Sequence, residues 1–336
     1  MNLRSWITAF RVPHLWAQVQ LIRDVETFVR VQFLYAAFES GLLAALARPA
    51  TRDGLIAALG VQRPELLDAL LALGVRLKEL SYRDGAYRIR GRRSRALATG
   101  DGDAPAAMIQ ELVTYHASVY QQLSARLRGA PSGDYLEEYG GLIARSSRVL
   151  EPFQANFVRA VVGRSAPLRL LEVGCGSGVY LRHAVEANAS VTGIAIDMAP
   201  EVIEQARANL AAWGIGDRFD VLLADIRQPP PEITAPFDVI SLYNNIYYFT
   251  PEERPGLLRT IRALLAPTGT FALVTMVPGN SIAALDLDLA LRSTVGNTAL
   301  PTVDEVTSLL KETGFAAVQT TKLLPTEPFY GFLAHI

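Results

Sequence analysis

From Ser5 to Leu46 apolar residues recur at helical spacing but leave almost no polar face, with Phe28, Val31, Phe33, Leu34, Ala37 and Phe38 spread around most of the circumference. A helix apolar on nearly all sides must be covered from more than one direction, which points to a partner chain. Thr51 to Gly60 reads as a short helix with a threonine cap and a terminal glycine. Pro64 opens a second, Glu65 to Leu73, expected to stop at Gly74. Alternating residues then flank Asp84-Gly85, from Glu79 to Arg83 and from Ala86 to Arg90, a signal for a two-residue hairpin.

Past the small, polar stretch Gly100 to Ala104, helical segments run from Ala106 to Val162, with breaks expected at Pro131-Ser132-Gly133 and Gly140-Gly141. From Leu168 the period alternates. Strands are expected at Leu168–Val173, Ser190–Ile196, Phe219–Leu223, Phe237–Leu242 and Thr270–Met276. Helices are expected at Val179–Ala187, Pro200–Trp213 and Pro251–Leu265, then at Pro278–Val295 and Thr302–Thr313. The chain closes on a hairpin-like pair, Phe315–Leu323 and Tyr330–Ile336. Such alternation implies an α/β fold with a mostly parallel, doubly wound sheet.

The chemistry gathers at the ends of these strands. The first, buried-looking strand runs into Gly174, Gly176 and Gly178, and Glu172 stands two residues before the first glycine. A strand, a tight glycine turn and a helix together suit a ligand that must approach backbone closely. The dinucleotide pattern G-x-G-x-x-G would place glycine at 179, which is Val179. Asp197 ends the second strand, where an acid can accept hydrogen bonds from both ribose hydroxyls. Asp225 follows the third. Acids at three successive strand ends, all facing one crevice, make a site.

The run E-x-G-x-G-x-G at Glu172–Gly178 resembles the first motif of class I S-adenosylmethionine (SAM) dependent methyltransferases. The resemblance implies a Rossmann-like sheet with an antiparallel last strand and a loop (Gly174, Cys175, Gly176, Gly178) wrapped around the methionine end of SAM. It also implies that Asp225 binds the adenine amino group and Ile226 packs on the ring, with Met198 and Asn244 completing the cofactor set. No metal ion enters this reading. The segment Phe28 to Arg90 is similar to the winged-helix dimerisation domain of small-molecule O-methyltransferases. The implied organisation is a dimerisation domain over 1–100, a helical linker and substrate lid over 101–163 and a catalytic domain over 164–336. Tyr115, Tyr139, Phe153, Tyr248 and Met276 are then expected to face the acceptor.

A winged helix also raises DNA binding. Its second helix, however, sets Glu65 and Asp68 against Arg76 and Lys78, so it is no basic recognition face. Arg88, Arg90, Arg92, Arg93 and Arg95 read as a solvated turn. With 336 residues, a net charge of −1 and a pI near 6.5, the chain is expected to hold two domains and advertises neither nucleic acid nor an anionic membrane as partner. One cysteine, Cys175, fits a reducing compartment. No run approaches the roughly 20 apolar residues of a membrane span, and the apolar segment of Met1 to Arg11 is too short for a signal peptide. The expectation is a cytoplasmic homodimer acting on a small aromatic or hydrophobic molecule of natural-product type, with a non-catalytic scaffold and a DNA-binding regulator as alternatives.

Methyltransferases of the resembled type usually carry a histidine base just after the fourth strand. Here that place is held by Tyr247, in Asn244-Asn245-Ile246-Tyr247-Tyr248-Phe249. A tyrosine of ordinary pKa, about 10, is a poor base at neutral pH. Three readings stay open: an acceptor that ionises easily or reacts at carbon, so that alignment suffices; His116 as a substitute base; or a dead site. The favoured expectation is transfer by proximity, with Tyr247 and Asn245 orienting the acceptor, to oxygen, nitrogen or carbon.

Overall fold

The computed structural model describes residues 13–163, 167–296 and 299–336. It forms two compact units, Met1–Thr114 and Tyr115–Ile336. The division falls within the stretch 101–163 expected as a linker, and helical residues continue through it from Asp103 to Arg126. Residues 5–12 of the first expected helix lie outside the described residues.

The first unit contains α1 (Leu15–Glu39), α2 (Leu42–Ala45), α3 (Arg52–Leu59), α4 (Pro64–Arg76), β1 (Leu80–Arg83), β2 (Ala86–Ile89), α5 (Arg92–Leu97) and α6 (Asp103–Glu111). Gly41, at φ 74°, separates α1 from α2, so the expected single helix to Leu46 is two. The Thr51 hydroxyl accepts from the amide of Gly54 and caps α3. The hairpin turn has Asp84 at φ 53° and Gly85 at φ 76°, the signs a type I′ turn requires. Contrary to expectation, α4 runs through Gly74. A Cβ there would stand 2.6 Å from Phe33 Cζ, so the residue serves close packing and not termination. Nor are the arginines a turn: Arg92, Arg93 and Arg95 lie on α5, whose Ser94 and Leu97 are buried. Arg93 and Arg30 both reach the buried carboxylate of Glu79.

The two halves of α1 differ. Phe33, Leu34 and Ala37 are buried, whereas Trp16, Leu21, Ile22, Val25 and Phe28 are each more than half exposed.

The second unit opens with the end of a π-helical segment, Leu112–His116, and continues through α7 (Ala117–Arg126), α8 (Tyr135–Ser146) and α9 (Glu151–Val162). α8 passes through Gly140-Gly141 without the expected break. Interior glycines cost about 1 kcal/mol each relative to alanine, and a Cβ at either would meet only Glu201, at ordinary contact distance, so the helix continues without a steric demand for glycine. β3 (Leu168–Val173), α10 (Val179–Ala187), β4 (Val191–Asp197), α11 (Pro200–Ala212), β5 (Phe219–Leu223) and β6 (Phe237–Tyr243) follow. Then come α12 (Arg254–Leu264), β7 (Leu265–Met276), α13 (Ile282–Arg292), α14 (Val303–Glu312), β8 (Ala317–Leu324) and β9 (Phe329–His335). The seven strands order as β5-β4-β3-β6-β7-β9-β8. All neighbours from β5 to β7 are parallel, and β9 is antiparallel to both β7 and β8. β7 begins earlier than expected because Leu265 pairs with Phe237 ahead of a register shift. Leu171, Ile240, Phe271 and Phe332 are fully buried at the centre of the sheet. Among the described residues no helix is long and apolar enough to cross a membrane.

Candidate active site

Strand order reverses beside β3, which has β4 on one side and β6 on the other. At such a switch point the loops leaving the carboxyl ends part and open a crevice. Glu172 is the penultimate residue of β3, Asp197 is the last of β4, and Asp225 follows β5. The loop after β3 holds Gly174, Gly176 and Gly178 at φ 69°, 53° and 76°, a region costly for any residue with a Cβ. Four of its amides are already used. Gly174 and Cys175 both donate to the Ile196 carbonyl, Gly178 donates to that of Cys175, and Gly176 donates to Asp197 Oδ2 at 3.1 Å. The glycines therefore shape a turn held by its own hydrogen bonds. Gly178 caps α10 and packs on Leu210, and the Cys175 side chain is buried, where desolvation raises its thiol pKa.

The acids differ in state. Glu172 is 1% exposed, and neither carboxylate oxygen has a hydrogen-bond partner among the described residues. Burial, then the charge of Asp197, pushes its pKa well above the usual carboxylate range. Asp197 is also raised by burial, against backbone hydrogen bonds from Gly176, Ala199 and Met198. Asp225 is half-exposed and held by Arg227, whose Nη2 lies 2.8 Å from Oδ2 and whose amide donates to Oδ1 at 2.9 Å. Beside it Ile226 is buried, while Met198 is exposed.

The exit of β6 forms the opposite wall. Asn244 sits at φ 58°, which asparagine tolerates, and its Nδ2 donates to Oε1 of the fully buried Gln154 at 2.9 Å. Asn245 Nδ2 donates to the Val173 carbonyl at 2.8 Å, so this side chain ties β6 to the glycine turn, and its buried Oδ1 has no partner among the described residues. Tyr247 is buried and meets Tyr248 edge-on at 4.8 Å. Met276, at the end of β7, is buried in the main core, and Phe153 on α9 is 41% exposed.

A second group stands on the helices. His116 Nδ1 lies 2.7 Å from Asp286 Oδ2 on α13, and Tyr120 donates to the other carboxylate oxygen at 2.7 Å. Burial would raise the Asp286 pKa, but these bonds from His116 and Tyr120 outweigh it and hold it low. Tyr115 meets the His116 ring at 4.9 Å and stacks on Tyr139 at 5.7 Å. Tyr139 belongs to α8, whose Ala144 packs over Gly176 of the turn. One helix thus touches both the glycine turn and the Tyr115–His116 segment. π-helical segments recur at functional sites because the extra residue re-aims side chains. Asp286, Gln154 and Arg227 were not among the sequence candidates. Each gains its meaning from a partner distant in the chain, and no local pattern marks them.

The residues present suit SAM: an unpartnered buried carboxylate at one end, a strand-end acid in the middle and a buried isoleucine beside an acid at the other. The fold and the arrangement of the site resemble those of class I SAM-dependent methyltransferases. Residues 170–269 match the family described as a methyltransferase domain. The chain is 28% identical over 281 residues to demethylspheroidene O-methyltransferase of Cereibacter sphaeroides, covering 78% of this chain and 71% of that one. In fold it is similar to the mitomycin 7-O-methyltransferase MmcR (TM-score 0.77, 19% identity, 95% and 97% of the two chains). It is similarly close to human N-acetylserotonin methyltransferase in complex with SAM (TM-score 0.75, 18% identity, 97% and 98%).

Proposed function

We propose that this methyltransferase alkylates a small, flat or hydrophobic natural product, most simply at oxygen, and works as a homodimer. SAM supplies a methyl group already activated on a sulfonium. Glu172 and the glycine turn hold the methionine end, Asp197 the ribose, and Asp225 with Ile226 and Met198 the adenine. Tyr115, Tyr139 and Tyr248 supply flat apolar walls for the acceptor. The observation that carries this reading is Glu172, a buried carboxylate with no partner among the described residues beside a glycine turn at the switch point. Relatives that methylate oxygen on small molecules support the acceptor class.

Alignment of acceptor and methyl carbon supplies much of the acceleration. Asn245 serves the architecture of the turn, which leaves Tyr247 and Tyr248 to orient the acceptor. The Asp286–His116 pair favours a second reading, in which His116 takes the acceptor proton and Asp286 fixes its ring. The test is SAM-dependent turnover across a panel of phenols and hydroxyquinones, followed by mass. With a weakly acidic acceptor, His116→Ala losing about 10²-fold or more, most near neutral pH where the acceptor still holds its proton and an imidazole can take it, supports the base. A loss below about tenfold, with SAM binding intact, leaves proximity alone. No methylation of any acceptor together with no SAM binding refutes the whole reading.

The dimer rests on α1. Trp16, Leu21, Ile22, Val25 and Phe28 present an apolar surface that a second copy would cover. Light scattering at micromolar concentration is expected to give twice the 36.6 kDa chain mass, and a monomer overturns it.

A further inference from the structure

Asp225 is the acid expected to accept from the adenine amino group, yet its acceptor positions face one neighbour. Oδ1 accepts the Arg227 amide at 2.9 Å and its Nε at 3.1 Å. Oδ2 accepts the same Nε at 2.9 Å and stands 2.8 Å from Nη2. A carboxylate has about four lone-pair sites, so an incoming amino group must displace part of this fork. Charge-assisted forks of arginine on carboxylate are among the stronger hydrogen-bonded pairs. Arg227 also has somewhere to go. Its Nη1 already reaches Glu253 Oε1 at 2.7 Å, and its guanidinium lies 5.8 Å from the Phe249 ring centroid. Glu253 is itself anchored, since Oε2 accepts from the Thr250 amide at 2.9 Å. Met198 Sδ, from the loop after β4, is 4.0 Å from Nη2. The guanidinium thus sits between two acids, against residues of the adenine end.

We propose that Arg227 is a positioning residue that tunes the adenine subsite: Asp225 exchanges part of its arginine fork for the adenine amino group, and Glu253 keeps the arginine while it does so. The inference rests on the SAM-binding reading given above and adds a competitor to it. When a binding-competent arrangement is only partly populated, apparent affinity falls by that fraction. Asp225 paired wholly with Arg227 is the incompetent arrangement, and Arg227 drawn toward Glu253 is the competent one. Two substitutions then have opposite signs. Arg227→Met keeps much of the length of the side chain and removes the competitor, so nucleoside binding tightens. Glu253→Gln removes the counter-charge, leaves Arg227 on Asp225 and weakens binding.

The experiment is calorimetry with S-adenosylhomocysteine (SAH) on the full chain. Relative to wild type, Arg227→Met should bind about 3–10-fold tighter and Glu253→Gln about 3–10-fold weaker, with the double variant following Arg227→Met. S-inosylhomocysteine replaces the amino donor with a carbonyl acceptor, which the guanidinium of Arg227 can satisfy and a thioether in its place cannot. Arg227→Met should therefore also widen the preference for SAH over the inosine compound. Both single variants weakening together, or neither changing, would show that Arg227 is only a scaffold and would overturn the proposal. Wild-type protein that binds no SAH would remove the SAM-binding reading itself, a result distinct from either.

Discussion

Glu172 and Asp225 are the acids proposed for the two ends of the SAM site, each just at or past the carboxyl end of a parallel strand, and they are in opposite states. Glu172 is 1% exposed with no hydrogen-bond partner among the described residues, while the Asp225 side chain is 30% exposed and saturated by Arg227. Folding thus leaves one carboxylate costly until a cation arrives and gives the other a partner in advance. The difference teaches where binding energy comes from. Relief of a buried, unmatched group strengthens binding, whereas exchange of one good partner for another is nearly neutral. Asp197, half-buried and accepting from the Gly176 and Ala199 amides, stands between them.

The largest expected effect belongs to Glu172. Glu172→Gln should weaken SAH binding by about 3–5 kcal/mol, as expected when one partner of a buried pair is removed. The same change should stabilise the ligand-free protein at high pH. A carboxyl raised on folding keeps its proton over a range where the unfolded chain has lost it. Stability therefore falls as pH rises above the ordinary glutamate value of 4.5, and the glutamine removes that slope. Thermal unfolding at pH 5 and pH 8 reads this directly, and a variant less stable than wild type at pH 8 would break the comparison. Next comes Asp197→Ala, which should cost on the order of 1–3 kcal/mol of SAM affinity through the unmatched ribose hydroxyls. Unchanged calorimetric affinity would remove Asp197 from the site. The smallest effect is expected at Asp225→Asn, under about tenfold, because asparagine still offers an acceptor while losing its hold on Arg227. A loss as large as that at Glu172 would mean the two ends do not differ as described.

Much of this was legible because it is local. β3, α10 and β5 begin and end where hydrophobic spacing and glycines place them, and each acid is marked by its position at a strand end. The misreadings share a cause. Gly74 and Gly140-Gly141 look like helix stops, yet each lies inside a helix packed against side chains from elsewhere in the chain. Spacing cannot show that Phe33 needs the room at Gly74. The same holds for His116 and Asp286, which are far apart in the chain and meet only where the start of α7 packs on α13. Arg227 and Glu253 are joined in the same non-local way.

One contact also constrains how this site can change over time. A Cβ built on Gly174 would collide with the amide nitrogen of Asn245, the group that ties β6 to the Val173 carbonyl. The two positions are therefore epistatic. A side chain at 174 would need 245 shortened and would still carry the strain of a left-handed backbone at φ 69°, and shortening 245 first loosens the turn that 174 shapes. Mutational drift at either position meets a barrier, so the pair should be inherited together as a single character while the acceptor walls around it diversify.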